Sequence, residues 1–334
     1  MRYQKHLNDI ERVKGVYPEP GLIRLASAER DEPYPKRLWE IFIDNLQETD
    51  VRYYPDFDYA VKELSKHVQV PPQCLTIGHG SDSVIKNVFE CFVSEGSKVV
   101  TTDPCFLMYK IYGQIRKAEV CAVPYSDKRV DVPGIIDAID DNTTLVVVSN
   151  PSSPIGDPIL DVENIIRAAA RKNCMVLVDE AYAEFCRLLP SMIHKYKDYG
   201  NVIVTRTFSK AAGSAGMRFG YGVSGRAVTN LLAKVKSIYE ITGPTIEWMR
   251  VIINNWDLVE EYVAQVTRNK YHIIEQYEKQ GYEVHNGHCN WIHTTKTDFD
   301  KSIHTKRCTL PWDDRQWTRL CIPSDEKTME LILR

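Results

Sequence analysis

The chain has 334 residues, of which 43% are hydrophobic and 26% are charged, and its formal net charge at pH 7 is −3. This composition is that of a globular protein, and the length has room for one large domain and a smaller one. The near balance of 42 basic and 45 acidic residues argues against nucleic acid as a partner. No apolar run approaches the ~20 residues that span a bilayer, which argues against a membrane as well.

The cysteines and the N-terminus indicate a cytoplasmic protein. Nine cysteines without a Cys-x-x-Cys pair are typical of thiols in a reducing compartment. The N-terminus is polar and lacks the apolar core of a secretory signal. We therefore expect the chain to lie in the cytoplasm.

Proline-containing turns mark the N-terminal segment, residues 1–45. We expect this segment to pack on the small domain or on a partner subunit. Residues 46–235 are predicted to form a large domain that binds a ligand, and residues 236–334 a small C-terminal domain.

Short, apolar, β-branched runs within residues 73–223 predict the strands of a buried sheet. The clearest runs are 98–102, 144–149, 174–178, 201–205 and 217–223. Between them, apolar residues recur every three or four positions, which predicts amphipathic helices at 83–94, at 161–172 and from Tyr182 onward. This alternation indicates an α/β fold with a mostly parallel, mixed central sheet flanked by helices.

Two longer helical patterns, at 228–238 and 257–280, precede a region of short strands and turns that reaches the last residue. They predict a smaller α+β domain beside the large one. Ligands of open α/β sheets sit beyond the carboxyl ends of the strands, so the residues at those ends are the candidates for a functional site.

Lys210 is the first of these candidates. It follows a predicted strand and lies among small residues, where a lysine loses its proton more easily than in water. A neutral amine is the form that makes a Schiff base. A lone lysine in such a loop would be an ordinary surface residue, but Ser209 and Arg218 add a hydroxyl and a cation that suit a phosphate group.

Asp179 ends a very apolar predicted strand, where an unpaired carboxylate is costly. It therefore needs a partner, and a protonated pyridine nitrogen is one that turns the ring into an electron sink. Tyr182 lies three residues further on and is able to donate to an oxygen on such a ring. The alternative is an aspartate that caps a helix N-terminus.

Two turns add weaker signals. Residues 78–83 place a glycine-rich turn before a predicted helix, whose backbone N–H groups suit a phosphate. No Gly-Lys-Ser/Thr follows and no third glycine is present, so neither the Walker nor the dinucleotide fingerprint is matched. Residues 149–156 form a second turn, rich in serine and proline, directly after a predicted strand.

In their order and spacing these segments, together with Tyr54 and Arg319, resemble the fold-type I pyridoxal-phosphate enzymes, particularly the histidinol-phosphate aminotransferase group. The resemblance implies that pyridoxal 5′-phosphate is the cofactor and that Lys210 holds it covalently. It further implies that Asp179 pairs with the pyridine nitrogen and Tyr182 with the ring oxygen, and that these three residues are the catalytic ones.

The resemblance also assigns the other contacts of the cofactor and the substrate. The implied cofactor contacts are Ser81, Asp82, Phe106, Ser153, Thr207, Ser209, Arg218 and, from the neighbouring subunit of a homodimer, Tyr54. Phe106 would stack on the ring, and Arg319 would clamp the substrate carboxylate. Arg30 and Tyr239 are the further expected substrate contacts.

The chain departs from the family pattern at some positions that face the ligands. Ser153 stands where the family usually has an asparagine that contacts the ring oxygen, and Ala28-Glu29-Arg30 replaces the usual Asn-Glu-Asn. A changed substrate site is therefore expected.

The resemblance implies an aminotransferase that moves an amino group between an amino acid and a keto or phosphorylated carbonyl substrate by a ping-pong mechanism. Two alternatives stay open: a decarboxylase of a phosphorylated amino acid, and a non-catalytic protein that binds the cofactor. His285, His288, Cys289 and His293 have residue types that ligate zinc, but they are better interpreted as a turn entering a strand, so we expect no metal site.

Overall fold

The computed structural model of the protein describes residues 4–11 and 20–334. The N-terminal part contains a short 3₁₀ helix at Lys5–Asp9, the strand β1 (Ile23–Arg24) and three helices, α1 (Lys36–Asn45), α2 (Glu48–Arg52) and α3 (Phe57–Val68). Helix α3 begins where the Asp56 carboxylate accepts the Tyr59 N–H at 3.0 Å and ends at Gln69, whose φ of 55° lies in the left-handed region.

A seven-stranded sheet forms the centre of the large part of the molecule. Its strands are β2 (Leu75–His79), β3 (Lys98–Asp103), β4 (Glu119–Pro124), β5 (Thr143–Ser149), β6 (Met175–Asp179), β7 (Val202–Thr207) and β8 (Phe219–Ser224). Their order in the sheet is β2-β8-β7-β6-β5-β3-β4, and β8 runs antiparallel to both of its neighbours while the other pairs are parallel. The predicted α/β class with a mostly parallel, mixed sheet is confirmed.

Five helices accompany this sheet: α4 (Gly80–Phe92), α5 (Leu107–Ile115), α6 (Val132–Asp137), α7 (Val162–Ala170) and α8 (Arg226–Val235). Helix α7 buries Val162, Ile165, Ile166 and Ala169, and its other positions are more exposed or small, as an amphipathic helix requires. The sheet's central strands are buried on both faces, which explains their continuous apolar sequences.

The helix predicted from Tyr182 onward is wrong. The structure has only a 3₁₀ turn at Ala183–Phe185, followed by turns and two more 3₁₀ turns. The carboxylate of Glu180 accepts hydrogen bonds from the Ser191 hydroxyl and, at 2.6 Å, from the Met192 N–H. Contacts that reach across eleven or twelve residues hold the segment in turns, because one buried carboxylate has to be satisfied there.

The C-terminal part begins with α9 (Gly243–Ile253) and α10 (Trp256–Lys279) and ends with α11 (Glu326–Leu333). Between them lie β9 (Val284–His285), β10 (Trp291–Thr294), β11 (Ile303–His304), β12 (Lys306–Leu310) and β13 (Asp313–Cys321). An antiparallel four-stranded sheet has the order β12-β13-β10-β9, and β11 pairs in parallel with β1 of the N-terminal part. No helix in the described part of the chain is long and apolar enough to cross a membrane.

The topology brings several loops to one edge of the large sheet. Strands β5, β6 and β7 are parallel neighbours, so their carboxyl ends at Ser149, Asp179 and Thr207 meet there. Because β8 is antiparallel to both β7 and β2, its first residue and the carboxyl end of β2 lie at the same edge. The segments that the sequence singled out therefore converge.

Candidate cofactor and substrate site

Lys210 lies in a tight loop after β7. The Gly213 N–H donates to the Lys210 carbonyl at 2.8 Å, and the Ser214 N–H donates to the Phe208 carbonyl, also at 2.8 Å. The Lys210 amine donates to the Ser27 carbonyl at 2.9 Å. Burial lowers the pKa of this amine to about 8, so a substantial fraction is neutral near physiological pH.

Asp179 is buried at the end of β6 and is held by two hydroxyls. The Tyr109 hydroxyl donates to Oδ2 at 2.7 Å, and the Thr205 hydroxyl donates to Oδ1 at 3.0 Å. Burial raises the pKa of Asp179, and these two hydrogen bonds oppose the rise. The carboxylate is thus desolvated and oriented, a state that favours a cationic partner.

Tyr109 is a site residue that the sequence did not reveal. It lies on α5, is fully buried, and its hydroxyl is also 2.9 Å from the Ser149 hydroxyl at the end of β5. Within an apolar helix a tyrosine is usually a core residue. The one available signal was its position one helical turn after Phe106, which placed its hydroxyl near the predicted site.

A close approach of backbone and guanidinium forms the candidate phosphate cradle. Helix α4 begins at Gly80, which has a φ of +75° and donates its N–H to the Arg218 carbonyl at 2.9 Å. A Cβ on Gly80 would lie 2.5 Å from Arg218 Nη2, and a Cβ on Gly220 would lie 2.2 Å from the Ser81 nitrogen. The guanidinium also donates to the Ser209 hydroxyl at 3.3 Å. A cation, a hydroxyl and the first N–H groups of a helix therefore lie together.

Two further predicted cofactor contacts border this cradle. Asp82, in the first turn of α4, accepts a hydrogen bond from the Tyr112 hydroxyl at 2.9 Å. Thr207 ends β7, and its hydroxyl accepts the Ser209 N–H at 3.1 Å. These contacts fix the backbone on both sides of the cradle.

The residues predicted to contact the cofactor ring come from three elements. The Tyr182 ring centroid lies 5.5 Å from the Lys210 amine and packs edge-on against Trp291 at 4.5 Å. Phe106 precedes α5, is 37% exposed and makes an edge contact with Tyr109 at 5.4 Å. Ser153 is half-buried in the loop after β5.

Arg319, on β13, is linked to the surroundings of Lys210 by a hydrogen bond to the N-terminal part of the chain. Its Nη2 donates to the Ala26 carbonyl at 2.7 Å, and its guanidinium carbon lies 5.4 Å from the Trp291 ring. Ala26 and Ser27 belong to residues 25–28, which we name the cover segment. The Ala28 N–H donates to the Cys321 sulfur at 3.0 Å, which ties this segment to β13.

Arg30 contacts one acidic and two aromatic side chains. The Arg30 guanidinium forms an ion pair with Glu32 and lies 5.0 Å from the Tyr34 ring and 4.2 Å from the Tyr262 ring. Its role as a substrate contact stays a prediction, because the described contacts give it a packing role.

Tyr54 and Tyr239 are brought together at the surface. They are 75% and 52% exposed, and their rings stack with centroids 3.9 Å apart and an interplanar angle of 13°. Neither side chain is buried in this chain, so contacts with a second subunit or with a substrate remain sterically open to both.

The site has the chemistry that pyridoxal 5′-phosphate requires. Lys210 supplies an amine that burial makes easier to deprotonate, and Asp179 supplies a buried carboxylate for a protonated ring nitrogen. Arg218 and the start of α4 supply a cradle so tight that a single added Cβ would displace the guanidinium. The residues present therefore fit the cofactor.

Comparison with known proteins finds matches over most of the chain. A family profile for class I and II aminotransferases matches residues 20–300. Histidinol-phosphate aminotransferase from Methanocaldococcus jannaschii is 30% identical over 242 residues, which cover 71% of this chain and 64% of that protein. The match thus spans slightly less than two thirds of that relative's length.

Two solved structures share the fold. The histidinol-phosphate aminotransferase from Sinorhizobium meliloti, in complex with pyridoxal-5′-phosphate, superposes with a TM-score of 0.86 at 21% identity and covers 99% of this chain and 95% of its own. The L-threonine-O-3-phosphate decarboxylase from Porphyromonas gingivalis has a TM-score of 0.79 at 17% identity and covers 93% of this chain and 97% of its own. At these identities the likeness concerns the fold alone.

Proposed function

The chain belongs to the class I and II aminotransferase family, whose fold-type I members use pyridoxal 5′-phosphate, and on this premise we propose that it is an aminotransferase. It moves an amino group between an amino acid and a keto or phosphorylated carbonyl substrate in two half-reactions. The observation that carries the proposal is that a half-buried Lys210, whose amine loses its proton easily, and a buried, oriented Asp179 lie at the same edge of the sheet.

Each residue has a task that its surroundings support. The bound cofactor supplies an electron sink for the negative charge that forms at the substrate's α-carbon. Lys210 would hold the cofactor, and its free amine would take the α-proton of the bound substrate as a general base and later return a proton as a general acid. Asp179, oriented by Tyr109 and Thr205, would keep the ring nitrogen protonated.

The substrate side depends on Arg319. A guanidinium binds a carboxylate through two parallel hydrogen bonds, and that geometry would orient the α-carbon over the ring. Arg319 Nη2 now donates to a backbone carbonyl, Ala26 O, and its Nε has no hydrogen-bond partner among the described residues. The side chain thus has unused donors for a carboxylate.

A decarboxylase of a phosphorylated amino acid is the second candidate. The fold neighbour from Porphyromonas gingivalis supports it, because the two chains share an architecture over almost their whole lengths. Both reactions use the same lysine and carboxylate, and they differ in which bond of the substrate stands perpendicular to the cofactor ring. Membership of an aminotransferase family and relatives named as aminotransferases argue against a non-catalytic cofactor-binding protein.

The proposal includes a cytoplasmic homodimer in which Tyr54 reaches the phosphate of the neighbouring site. Support comes from the exposure of Tyr54, and of Val51, Tyr53 and Ile238, at 75%, 74%, 61% and 78%. Such a group of exposed apolar side chains is typical of a surface that another chain covers. Light scattering would measure the mass, and a monomeric mass at micromolar concentration would contradict the dimer.

An absorbance scan of the purified protein tests the cofactor assignment. We expect a visible band from lysine-bound pyridoxal phosphate that is lost in Lys210→Ala. Lys236→Ala is the matched control, because the Lys236 amine also donates to a carbonyl, that of Ile77 at 3.1 Å, and burial also lowers its pKa. The control should keep the band.

A panel of amino donors then separates the two reactions. Formation of pyridoxamine phosphate with release of a keto acid supports the aminotransferase. Release of carbon dioxide without a keto acid would support the decarboxylase instead, and absence of the band in the wild-type protein would refute both.

A further inference from the structure

The N-terminal segment touches the surroundings of Lys210 at both ends of the residue. The carbonyl of Ser27 accepts a hydrogen bond from the Lys210 amine at 2.9 Å. At the other end, the Gly213 N–H donates to the Lys210 carbonyl at 2.8 Å, and Arg30 packs on Gly213. We name residues 208–214 the lysine loop. One stretch of the N-terminal segment thus lies against both the amine and the backbone of this loop.

The stem of Arg30 fills the space beside Gly213. Gly213 has a φ of +66°, and a Cβ added there would lie 2.7 Å from Cδ and 2.9 Å from Cβ of Arg30. The Arg30 side chain is only 8% exposed, and its guanidinium carbon lies 4.2 Å from the Tyr262 ring centroid and 5.0 Å from that of Tyr34. An arginine enclosed in this way packs through its stem, so it forms a wall behind the lysine loop.

Tyr34 supplies a second contact with the lysine loop. Its hydroxyl donates to the Ala212 carbonyl at 3.1 Å and lies 3.1 Å from the Ser214 hydroxyl. The Ser214 hydroxyl accepts the indole N–H of the buried Trp248 at 2.8 Å and donates to the Ala212 carbonyl at 3.0 Å. Tyr34 thereby joins the N-terminal segment to a hydrogen-bond network that ends on the backbone of the lysine loop.

The Tyr34 hydroxyl is a fixed donor. Its ring packs edge-on against Trp248, with ring centroids 4.8 Å apart, and this contact limits the directions in which the hydroxyl can point. Burial raises the pKa of Tyr34 above the ordinary value of a tyrosine, which is about 10. The hydroxyl therefore keeps its proton throughout the pH range in which Lys210 titrates.

We propose that Tyr34 and Arg30 are positioning residues that hold the lysine loop, and with it the Lys210 amine, where the reaction requires it. This inference rests on the proposed function, because it concerns the lysine of the same site. Both residues act through the backbone. Tyr34 acts through the carbonyl of Ala212, and Arg30 acts through Gly213, whose N–H holds the Lys210 carbonyl.

Tyr34→Phe removes the hydroxyl and leaves the ring in place. The lysine loop then loses an anchor and water gains access to the Lys210 amine, so the pKa that burial lowers should rise towards its ordinary value. The pH at which uptake of pyridoxal phosphate by cofactor-free enzyme reaches half its maximal rate should rise by about one unit, since one hydrogen bond corresponds to a factor of up to about ten. The variant leaves the other ionisable groups around the amine in place, namely Cys321, Arg319, Glu29 and Arg218.

Tyr277→Phe is the matched control for Tyr34→Phe. It also removes a tyrosine hydroxyl that donates to a backbone carbonyl, that of Ile332 at 2.7 Å. Its loss should lower thermal stability without changing the pH profile of cofactor uptake. An equal shift in both variants would show a general loss of structure and would overturn the inference.

Gly213→Ala tests the Arg30 contact independently of the tyrosine. The added Cβ would lie 2.7 Å from Arg30 Cδ, so the lysine loop has to move away from the wall. We expect the half-maximal pH to rise here as well. Gly281→Ala is the matched control, because Gly281 also has a positive φ, of +85°, but has open space around it, and its pH profile should match that of the wild type.

Rapid-mixing kinetics of the loaded enzyme with an amino donor give a second readout. A displaced amine transfers protons more slowly, so the maximal rate of the first half-reaction should fall about tenfold or more in Tyr34→Phe and in Gly213→Ala. The donor concentration that gives half this rate should stay the same, because both variants leave Arg319 in place. An increase in that concentration with an unchanged maximal rate would assign Arg30 to the substrate and overturn the inference.

Unchanged pH profiles in Tyr34→Phe and Gly213→Ala would also overturn it. Failure of the proposed function has a separate signature, which is the absence of a half-reaction between the wild-type enzyme and any amino donor. Hydrogen exchange of the cofactor-free protein remains decisive in that case. It should be faster at residues 208–214 in Tyr34→Phe than in the wild type, and equal exchange would refute the role of Tyr34.

Discussion

Replacing Tyr109 with phenylalanine is the sharpest test of how the site orients its carboxylate. The substitution removes one oxygen from a fully buried side chain and leaves its ring in place. Oδ2 of Asp179 then loses the hydroxyl at 2.7 Å, while Oδ1 keeps the Thr205 hydroxyl at 3.0 Å. The pKa of Asp179, already raised by burial, should rise further.

The size of the effect follows from the charge of the acceptor. A hydrogen bond to an ionised group contributes about 1.5 to 3 kcal/mol, which corresponds to a factor of about 10 to 150 in an equilibrium or rate constant. Because Asp179 would hold the ring nitrogen, the loss should appear both in the affinity for pyridoxal phosphate and in the rate of the first half-reaction.

The assay is a titration of cofactor-free enzyme with pyridoxal phosphate, followed by rapid-mixing kinetics with an amino donor. Tyr277→Phe is the matched control, since Tyr277 is also fully buried and its hydroxyl donates to the Ile332 carbonyl at 2.7 Å, far along the chain from the site. Both variants should lose similar thermal stability. If Tyr109→Phe binds the cofactor and reacts within twofold of the wild type, the assigned role of Tyr109 is refuted.

Three further predictions concern the cofactor. The rate at which cofactor-free enzyme takes up pyridoxal phosphate should rise about tenfold per pH unit until pH ~8 and then level off. The reason is that the neutral Lys210 amine reacts and that burial lowers its pKa to about 8. A rate that continues to rise to pH ~10 would contradict this. Gly80→Ala should weaken cofactor binding, because the added Cβ would lie 2.5 Å from Arg218 Nη2 and displace it. Gly96→Ala is the control, since Gly96 has a similar φ of +79° and open space around it, and this variant should lose only stability. Equal cofactor affinities of the two variants in a binding titration would argue against the cradle. Ser153→Asn should restore the contact with the ring oxygen that the family resemblance implies. The pKa at which the absorbance of the bound cofactor changes should then fall by about one unit. An unchanged titration curve would count against that contact.

The sequence predicted the large sheet well because of how that sheet is buried. Strands covered on both faces need continuous apolar residues, and a run such as 144–149 then differs clearly from its surroundings. The structure places this strand at Thr143–Ser149. In the segment after Tyr182, apolar residues recur every three or four positions, as they do in the observed helices. Its conformation is decided instead by the hydrogen bonds of Glu180 with Ser191 and Met192, which are distant in sequence. No local pattern contains that information.

The candidate site likewise contains residues that the sequence revealed and residues that only the tertiary structure revealed. Lys210, Asp179 and Arg218 were found because each adjoins a strand end, a position that the chain order reveals, although their roles stay predictions. Tyr109 was missed because its hydroxyl is a feature of tertiary packing within an apolar helix. The alignment of His293, Arg319 and Lys306 across the small sheet was missed because only the pairing of β10, β12 and β13 brings together residues that are far apart in sequence.

The cover segment has a consequence for the order of events when ligands arrive. Its carbonyls at Ala26 and Ser27 accept hydrogen bonds from Arg319 and Lys210, the two cations proposed to bind substrate and cofactor. Each ligand therefore takes over a donor that is already engaged, so association exchanges one hydrogen-bond acceptor for another. The released carbonyls lose two anchors, and hydrogen exchange at residues 25–28 should consequently report cofactor and substrate occupancy as two separate increases.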